Sequence, residues 1–415
     1  MSCYKYGRNC QKEGSYVNKT PIWKRNLHVS AVSVFLAGIA FSEVTPFLSL
    51  YIDSLGKFSH QQLSFWSGAI FSVVFIVAAL ISPMWGRLAD KKGRKPMILR
   101  ASLGMSIVFA LMGLAQNVWQ LLFLRGMQGV FAGFISNSTA LIAAETPKHK
   151  SGRALGIMSS CATGGQLLGP FVGGALSQAF SYRMTFFITG SLLFTCFVLS
   201  IFFIHETDFV PVTGEKRGSF ADTIKQFRSG QMSIGLLLTT LIIQAANMSI
   251  NPIVSLYVRS LMGGHGKVVF ISGIIAALPG IATVSAASYF GGLGDRIGTH
   301  KIILGGLLGS IILFFLTAFV QNTLELGICR FLIGFTDACL FPQVQSMLSK
   351  NSPHALTSRV FSWNQSAMYI GNIVGPMIGS TVSAHMGYSA VFLVTSGIVL
   401  LNLLLYRTNI LKNIA

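Results

Sequence analysis

Acidic residues are scarce in this chain: 12 aspartates and glutamates stand among 415 residues, against 31 lysines and arginines. Charge of either sign is only 10% of the sequence, whereas soluble domains carry roughly 25%. With 52% hydrophobic residues, that shortage excludes an ordinary water-soluble globule. Six cysteines include no Cys-x-x-Cys pair, and eight histidines show no ligand spacing, so no metal site is expected. Cys161, Cys196, Cys329 and Cys339 fall in apolar runs and read as small buried side chains. The phosphate-binding Gly-x-x-x-x-Gly-Lys-Ser/Thr loop, the His-Glu-x-x-His zinc helix and the Gly-x-Ser-x-Gly elbow are all missing. An enzyme is therefore not expected, nor ATP hydrolysis, nor a cofactor. The net charge of +19 forms no continuous basic stripe and no basic–aromatic face, which argues against nucleic acid. Residues 1–25 have no apolar core before Leu27 and no small-residue cleavage site, and read as a cytoplasmic tail rather than a signal peptide.

What is present is apolar length. A spanning helix needs about 20 apolar residues, and twelve stretches qualify: 27–50, 63–85, 97–115, 119–143, 154–178, 185–204, 233–257, 268–290, 302–320, 324–348, 360–384 and 388–406. The expected fold is an all-α integral membrane protein of twelve transmembrane helices in two pseudo-symmetric six-helix bundles. The expected domains are a tail at 1–25, a first bundle at 26–204, a polar linker at 205–232, a second bundle at 233–407 and a tail at 408–415. In alternate inter-helix segments, Lys and Arg number 24 on one side and 4 on the other. The excess predicts that both termini and the linker are cytoplasmic.

The duplication is written at a constant offset. Gly86-Arg-Leu-Ala-Asp90-Lys-Lys-Gly93-Arg94-Lys95 reads as a short charged turn between two membrane-length helices, with Asp90 within reach of Arg87 and Arg94. It returns 205 residues later around Gly291, Asp295, Arg296 and Gly298. Pro46-Phe-Leu-Ser-Leu-Tyr51 matches Pro252-Ile-Val-Ser-Leu-Tyr257, 206 apart. Gln116-Asn117 matches Gln321-Asn322, and Arg125-x-x-x-Gly129 matches Arg330-x-x-x-Gly334, both 205 apart. Gly165-x-x-x-Gly169-Pro170-x-x-Gly173 matches Gly371-x-x-x-Gly375-Pro376-x-x-Gly379, 206 apart. Six is even, so the two copies share one orientation and are related by an axis along the membrane normal, with a cavity between them. The glycines allow close helix approach, and the prolines bend their helices.

Three carboxylates fall inside or at the end of apolar stretches: Glu43, Asp337 and, at the end of helix 4, Glu145. An ionisable group at a helix centre costs at least roughly 2.5 kcal/mol in the membrane and is a functional candidate by default. Depth along the helices puts Glu43 and Arg125 at similar height, so a buried pair between them is expected; a fixed ion pair that only orients helices is the alternative. Asp337 lies near the middle of helix 10, two turns from Arg330, and Ala132 stands at its place in the first copy. Polar candidates for substrate contact are Asn137, Gln166, Gln244, Asn247, Asn251, Asn364 and Tyr369. Any of these polar groups can equally serve as interhelical glue. Candidates for a gate at the charged loops are Gly86, Arg87, Asp90, Gly93, Arg94, Glu145, Arg153, Asp295 and Arg296.

These motifs resemble the major facilitator superfamily, and within it the twelve-helix drug:proton antiporters, over residues 25–407. The Gly86–Lys95 segment is similar to that superfamily's signature loop between helices 2 and 3. Leu121-x-x-x-Arg125-x-x-Gln128-Gly129 is similar to its helix 4 motif, whose arginine the resemblance implicates in proton coupling. Gly165-x-x-x-Gly169-Pro170-x-x-Gly173-Gly174 resembles the helix 5 motif found mainly in exporting antiporters. In the second copy, Thr299-His300 stands where that loop would end in Arg-Lys. The resemblance implies a monomeric antiporter of the bacterial inner membrane that exchanges protons for amphipathic organic compounds, antibiotics included, by alternating access. Glu43, Arg125 and Asp337 would couple the proton, and Asp90 would latch the cytoplasmic side. A symporter or exporter of one narrow metabolite class is the alternative, and a non-transporting receptor or scaffold is a third reading.

Overall fold

A computed structural model describes residues 21–207, 209, 230–352 and 357–410. Most of the expected tails and linker therefore lies outside the described residues. The first half contains α1 (Ile22–Ser42), α2 (Leu48–Ser54), α3 (His60–Lys92), α4 (Arg94–Gly113), α5 (Val118–Val130), α6 (Phe134–Glu145), α7 (Ser151–Ala179) and α8 (Tyr182–Phe203). The second contains α9 (Gly230–Ile250), α10 (Val254–Leu261), α11 (Val268–Ile297), α12 (Thr299–Thr317), α13 (Thr323–Asn351), α14 (Thr357–Met386) and α15 (Tyr388–Asn409). Since α2 continues α1, α6 continues α5 and α10 continues α9, the chain makes twelve successive rods. Among the described residues, nine of these are long and apolar enough to cross a membrane by length and composition. The other three, α7, α13 and α14, are 29, 29 and 30 residues long and carry more glycine and polar side chains. Polar positions on a spanning helix belong against other helices rather than lipid.

Local chemistry explains where the rods start. Asn117 Oδ1 accepts from the Gln120 amide at 2.9 Å, and Asn322 Oδ1 accepts from the Glu325 amide at 2.9 Å. The repeated Gln-Asn pair is thus a repeated N-cap, filling donors that a helix start leaves open. Ser59 and Gln62 form a reciprocal capping box at the start of α3.

Three expected helices are interrupted. The stretch 27–50 breaks after Ser42, and 233–257 breaks at Asn251–Ile253; each break holds the matched proline, Pro46 or Pro252, which has no amide proton to continue the ladder. The stretch 119–143 breaks at 131–133, where Gly133 takes φ 108°. The charged segment 86–95 is not an open turn: α3 runs to Lys92 and α4 begins at Arg94, leaving Gly93 alone at φ 94°. Gly298, at φ 103°, joins α11 to α12 in the same way. Helices extend past their apolar runs because the backbone keeps its hydrogen bonds whether lipid or headgroup surrounds it.

Within each half the equivalent rods pack alike: α1 lies on α7 as α9 lies on α14, and α4 on α8 as α12 on α15. The glycine motifs make the first of these contacts. A Cβ on Gly165 would meet Gly38 Cα at 3.0 Å, and one on Gly375 would meet Ala245 O at 2.5 Å. Between halves, α3 packs on α14 and α7 on α11.

We call the side where α1 begins and α15 ends the terminal face, and the other the distal face. The halves are tied at the distal face. Ser49 Oγ donates to Pro252 O at 2.7 Å, and Arg259 Nη1 meets Asp53 Oδ2 at 2.6 Å. Ser64 and Ser383 share a hydroxyl bond at 3.2 Å, and His60 Nε2 donates to Ser383 O at 2.9 Å. Ser72, twelve residues or about 18 Å along α3, still donates to Ile373 O at 2.8 Å. Beyond that point α3 leaves α14, and Ala79, Ser82, Pro83 and Gly86 line a cavity instead. The molecule is sealed at the distal face and open towards the terminal face.

Candidate functional site

The cavity has a volume of about 1120 Å³ and lies between α3, α6, the start of α7 and α14. Hydroxyls and amides mark its wall at Ser82, Ser136, Thr139, Ser362, Gln365, Ser366 and Tyr369, among Phe361, Leu155, Ile370 and Ile373. No charged side chain lines it among the described residues. A side pocket of about 160 Å³ adjoins it at Trp85, Gly133, Asn137 and Arg94, with Tyr369 common to both.

The side pocket exists because the fourth rod breaks. Trp85 Nε1 donates to Val130 O at 2.8 Å, and Arg100 donates to Val130 O at 3.3 Å and Ala132 O at 2.9 Å. The guanidinium also stacks over the Trp85 ring at 3.7 Å. The carbonyls freed by the break are thus answered by two side chains from α3 and α4, as a non-helical segment at this depth requires. Asn137 donates back to Gly133 O at 2.7 Å and closes the start of α6.

The structure separates residues that depth along the helices had put together. Glu43 and Arg125 are not a pair. Glu43 is fully buried and in hydrogen-bond contact with Thr189 of α8, and its Oε2 has no hydrogen-bond partner among the described residues. Arg125 points instead to α3: Nε donates to Ile70 O at 3.2 Å, Nη1 to Gln128 Oε1 at 2.7 Å, and the guanidinium lies 5.9 Å from the Phe71 ring centre. The backbone of Glu43 fills the space over Gly169 and Gly173, beside Pro170, so the helix 5 motif seats the carboxylate's own helix. Asp337 accepts from Asn247 Nδ2 at 2.8 Å, joining α13 to α9. Arg330 is buried without an ion pair to Asp337 among the described residues.

The other polar candidates divide. Gln244 donates to Asn372 at 2.6 Å, and Asn364 accepts from Thr240 at 2.7 Å, all buried between α9 and α14. These are glue within the second half rather than cavity wall. Asn251 sits at the break of the seventh rod and donates to Met248 Sδ at 3.2 Å. Gln166 is exposed on α7 but lines neither pocket. Tyr369 and Asn137 do line them.

At the terminal face, Asp90 pairs with Arg94 at 2.8 Å, while Arg87 makes no ion pair among the described residues. Glu206 accepts from the Arg94 and Lys95 amides at 2.7 and 2.8 Å, capping α4 against its dipole. Glu145 accepts from Asn26 at 3.0 Å and from the Thr207 amide at 2.5 Å, tying α1, α6 and the segment after α8 within one half. Asp295 pairs at 3.1 Å with Lys350, whose partner is 71% exposed. Arg153 and Arg296 are exposed. Among the described residues, no three His, Cys, Asp or Glu side chains converge as a metal site.

Sequence reading missed Trp85, Arg100, Gln365, Ser366, Glu206 and the Asp53–Arg259 pair. For the last a signal existed: the two residues are 206 apart, so equivalent positions carry opposite charge.

Comparison with known proteins agrees with this architecture. The family model described as Major Facilitator Superfamily matches residues 30–271 and 236–412. Multidrug resistance protein MdtG of Enterobacter lignolyticus (strain SCF1) is 49% identical over 388 residues, 93% of this chain and 93% of its own length. MdtG of Klebsiella pneumoniae (strain 342) is 49% identical over 384 residues, 92% of this chain and 93% of its own. Among solved structures, a bacterial homolog of the human lysosomal transporter Spinster superposes with a TM-score of 0.76 at 15% identity, covering 95% of this chain and 99% of that one. The nucleoside transporter NupG superposes with a TM-score of 0.74 at 15% identity, covering 94% and 99%. On the family match across both halves and the relatives near half identity, this chain belongs to the Major Facilitator Superfamily.

Proposed function

We propose that this chain is a multidrug exporter of the bacterial inner membrane, exchanging protons for amphipathic organic compounds, antibiotics included. The supporting relatives carry the name multidrug resistance protein and match over 93% of the chain. The observation that carries the reading is the cavity of about 1120 Å³, open at one face and walled by apolar, hydroxyl and amide groups, with no charged side chain among the described residues. Such a wall accepts many amphipathic shapes and enforces none. The two halves are the bundles at 26–204 and 233–407, joined by the linker at 205–232. The 24 to 4 division of Lys and Arg makes the terminal face cytoplasmic, so this conformation faces inward.

Alternating access then means breaking the distal seal of Ser49, Asp53, Ser64 and Ser72 and forming a terminal one. Asp90, held by Arg94 beside the one-residue turn at Gly93, is positioned to serve that second seal. Glu43 and Asp337 are the proton carriers, one in each half, with Arg125 fixing the rods beside the first. The chain works as a monomer, since one copy contains both halves and the cavity. Inverted membrane vesicles with a pH dye inside test the exchange: adding ethidium should alkalinise the lumen only when the protein is present and the gradient is intact, whereas acidification would indicate co-transport. Ethidium movement without any proton flux, or no movement of ethidium and of a panel of uncharged antibiotics, would remove the reading in favour of a narrow metabolite carrier.

A further inference from the structure

Glu43 raises a question of access that the cavity does not answer. Its side chain is fully buried between α1, α7 and α8, and it lines neither pocket of the open cavity. A carboxylate that exchanges protons needs a route to water, and the central one is closed to it here.

A file of hydroxyls approaches it from the distal face. Ser177 Oγ and Thr185 Oγ1 share a hydrogen bond at 3.0 Å, and Thr185 also donates to Ser181 O at 2.9 Å, at an exposed helix start. Thr189, one helical turn or about 6 Å deeper on α8, touches the carboxyl. A distal pocket of about 420 Å³ ends on Gln178 and Tyr182, the residues next in sequence to Ser177 and Ser181. Thr189 Oγ1 has one proton and two neighbouring acceptors, Thr185 O at 2.8 Å and the Glu43 carboxyl. The hydroxyl is shared between the carboxyl and the α8 backbone and can turn from one to the other.

The second half supplies the comparison. At an offset of 206, Ser383, Val391, Thr395 and Ser249 replace Ser177, Thr185, Thr189 and Glu43. Ser249 and Thr395 still touch, at 3.0 Å, so the packing is shared. Where the acid is absent, the middle rung is a fully buried valine. All three hydroxyls, Ser177, Thr185 and Thr189, are present only in the half that has an acid at the position of Glu43.

We propose that Ser177, Thr185 and Thr189 form a proton path from the distal face to Glu43, inside the first bundle rather than through the substrate cavity. The proposal rests on the reading of Glu43 as a proton carrier. A proton taken up at Ser177 passes that hydroxyl's own proton to Thr185, the transfer across the helical turn to Thr189 requires a water to enter between them, and Thr189 hands its proton to the carboxylate. Each hydroxyl ends neutral, and one proton has been delivered. Among the described residues no other charged side chain bonds these hydroxyls, and Asp53 and Arg259 line the distal pocket outside them. On the packed elements, Lys24, Arg25 and His28 lie at the far end of α1, and Arg153 and Cys161 lie on the terminal half of α7. On α8, Arg183 donates to Ala115 O at 3.2 Å and Cys196 to Ser33 O at 3.5 Å, while Tyr182 stacks on Phe47. None of these bonds Glu43 among the described residues.

Infrared spectroscopy of the full chain in liposomes tests the path without any substrate. The carboxyl band lost in Glu43→Gln is the Glu43 band, and its shift on transfer to heavy water times proton access. Thr185→Val, which copies the second half, should slow that shift by about tenfold or more, as losing a positioned proton-transfer group does. Thr185→Ser should keep the wild-type rate, and Val391→Thr should change nothing. Should Thr185→Val not fold, Ser177→Ala is read in the same way. An unchanged rate in Thr185→Val, or the absence of any Glu43 carboxyl band between acid and neutral pH, overturns the path. Proton-driven transport that survives in Glu43→Gln would instead overturn the carrier reading on which it rests.

Discussion

The two halves of this molecule are the same object built twice, and their differences mark where work is divided. Both place a glycine helix against the first rod of the half, both cap a rod with Gln-Asn, and both turn on a single positive-φ glycine. Three of their differences stand out. The first half has Glu43 on Thr189 where the second has Ser249 on Thr395. The fourth rod is broken at 131–133, whereas its counterpart α13 runs unbroken through Asp337. The distal contact carries Asp53 on one side and Arg259 on the other. Shared features hold the fold; the unshared ones are where a division of function is expected.

Making the halves alike should therefore abolish activity before it abolishes folding. The largest effect is expected from Glu43→Ser, which copies the second half. Proton-driven accumulation should fall roughly 100-fold, the scale of a lost positioned proton-transfer group. Drug exchange down its own gradient, measured in the same liposomes, should persist. Equal loss of both would make Glu43 a packing element.

Next is Arg100→Ala, which removes the brace on the broken rod. Val130 O keeps Trp85, but Ala132 O loses its partner. An unmet buried carbonyl costs about 1–3 kcal/mol, so the melting temperature in detergent should drop, with a smaller loss for Arg100→Lys. An unchanged melting temperature would show that the break needs no brace.

The smallest effect is expected at the distal contact. Both partners of Asp53–Arg259 are about one-third exposed, and such pairs are worth about 0.2–1 kcal/mol. Asp53→Arg should shift the balance towards an open distal face, read as thiol labelling of a cysteine at Ser64, by a few-fold. Asp53→Arg with Arg259→Asp should restore it. Failure of the double reversal would mean that the two side chains touch without coupling.

Much of this was legible in the sequence because duplication prints every structural requirement twice. The twelve rods and the pseudo-symmetry follow from matched positions, whereas the prolines at 46 and 252 matched each other and yet both stretches read as unbroken helices. The break at 131–133 was not legible: Phe131-Ala132-Gly133 is apolar and small, and the matched segment stays helical. Glu43 and Arg125 show the other limit. Residue counting gives height along a helix and says nothing of the face. At similar height, Glu43 turns towards α8 and Arg125 towards α3. Gln244 and Asn364 illustrate it again, since a polar stripe on α9 satisfied itself on α14.

Asp53 and Arg259 also say something about descent. A residue close to a two-fold axis faces its own copy, so a dimer of identical chains must set like against like there. Opposite charges across such an axis are open only to halves encoded separately within one chain. The distal latch is thus a contact that no symmetric ancestor could have possessed. It is open only to a chain whose two copies are joined and free to differ in sign.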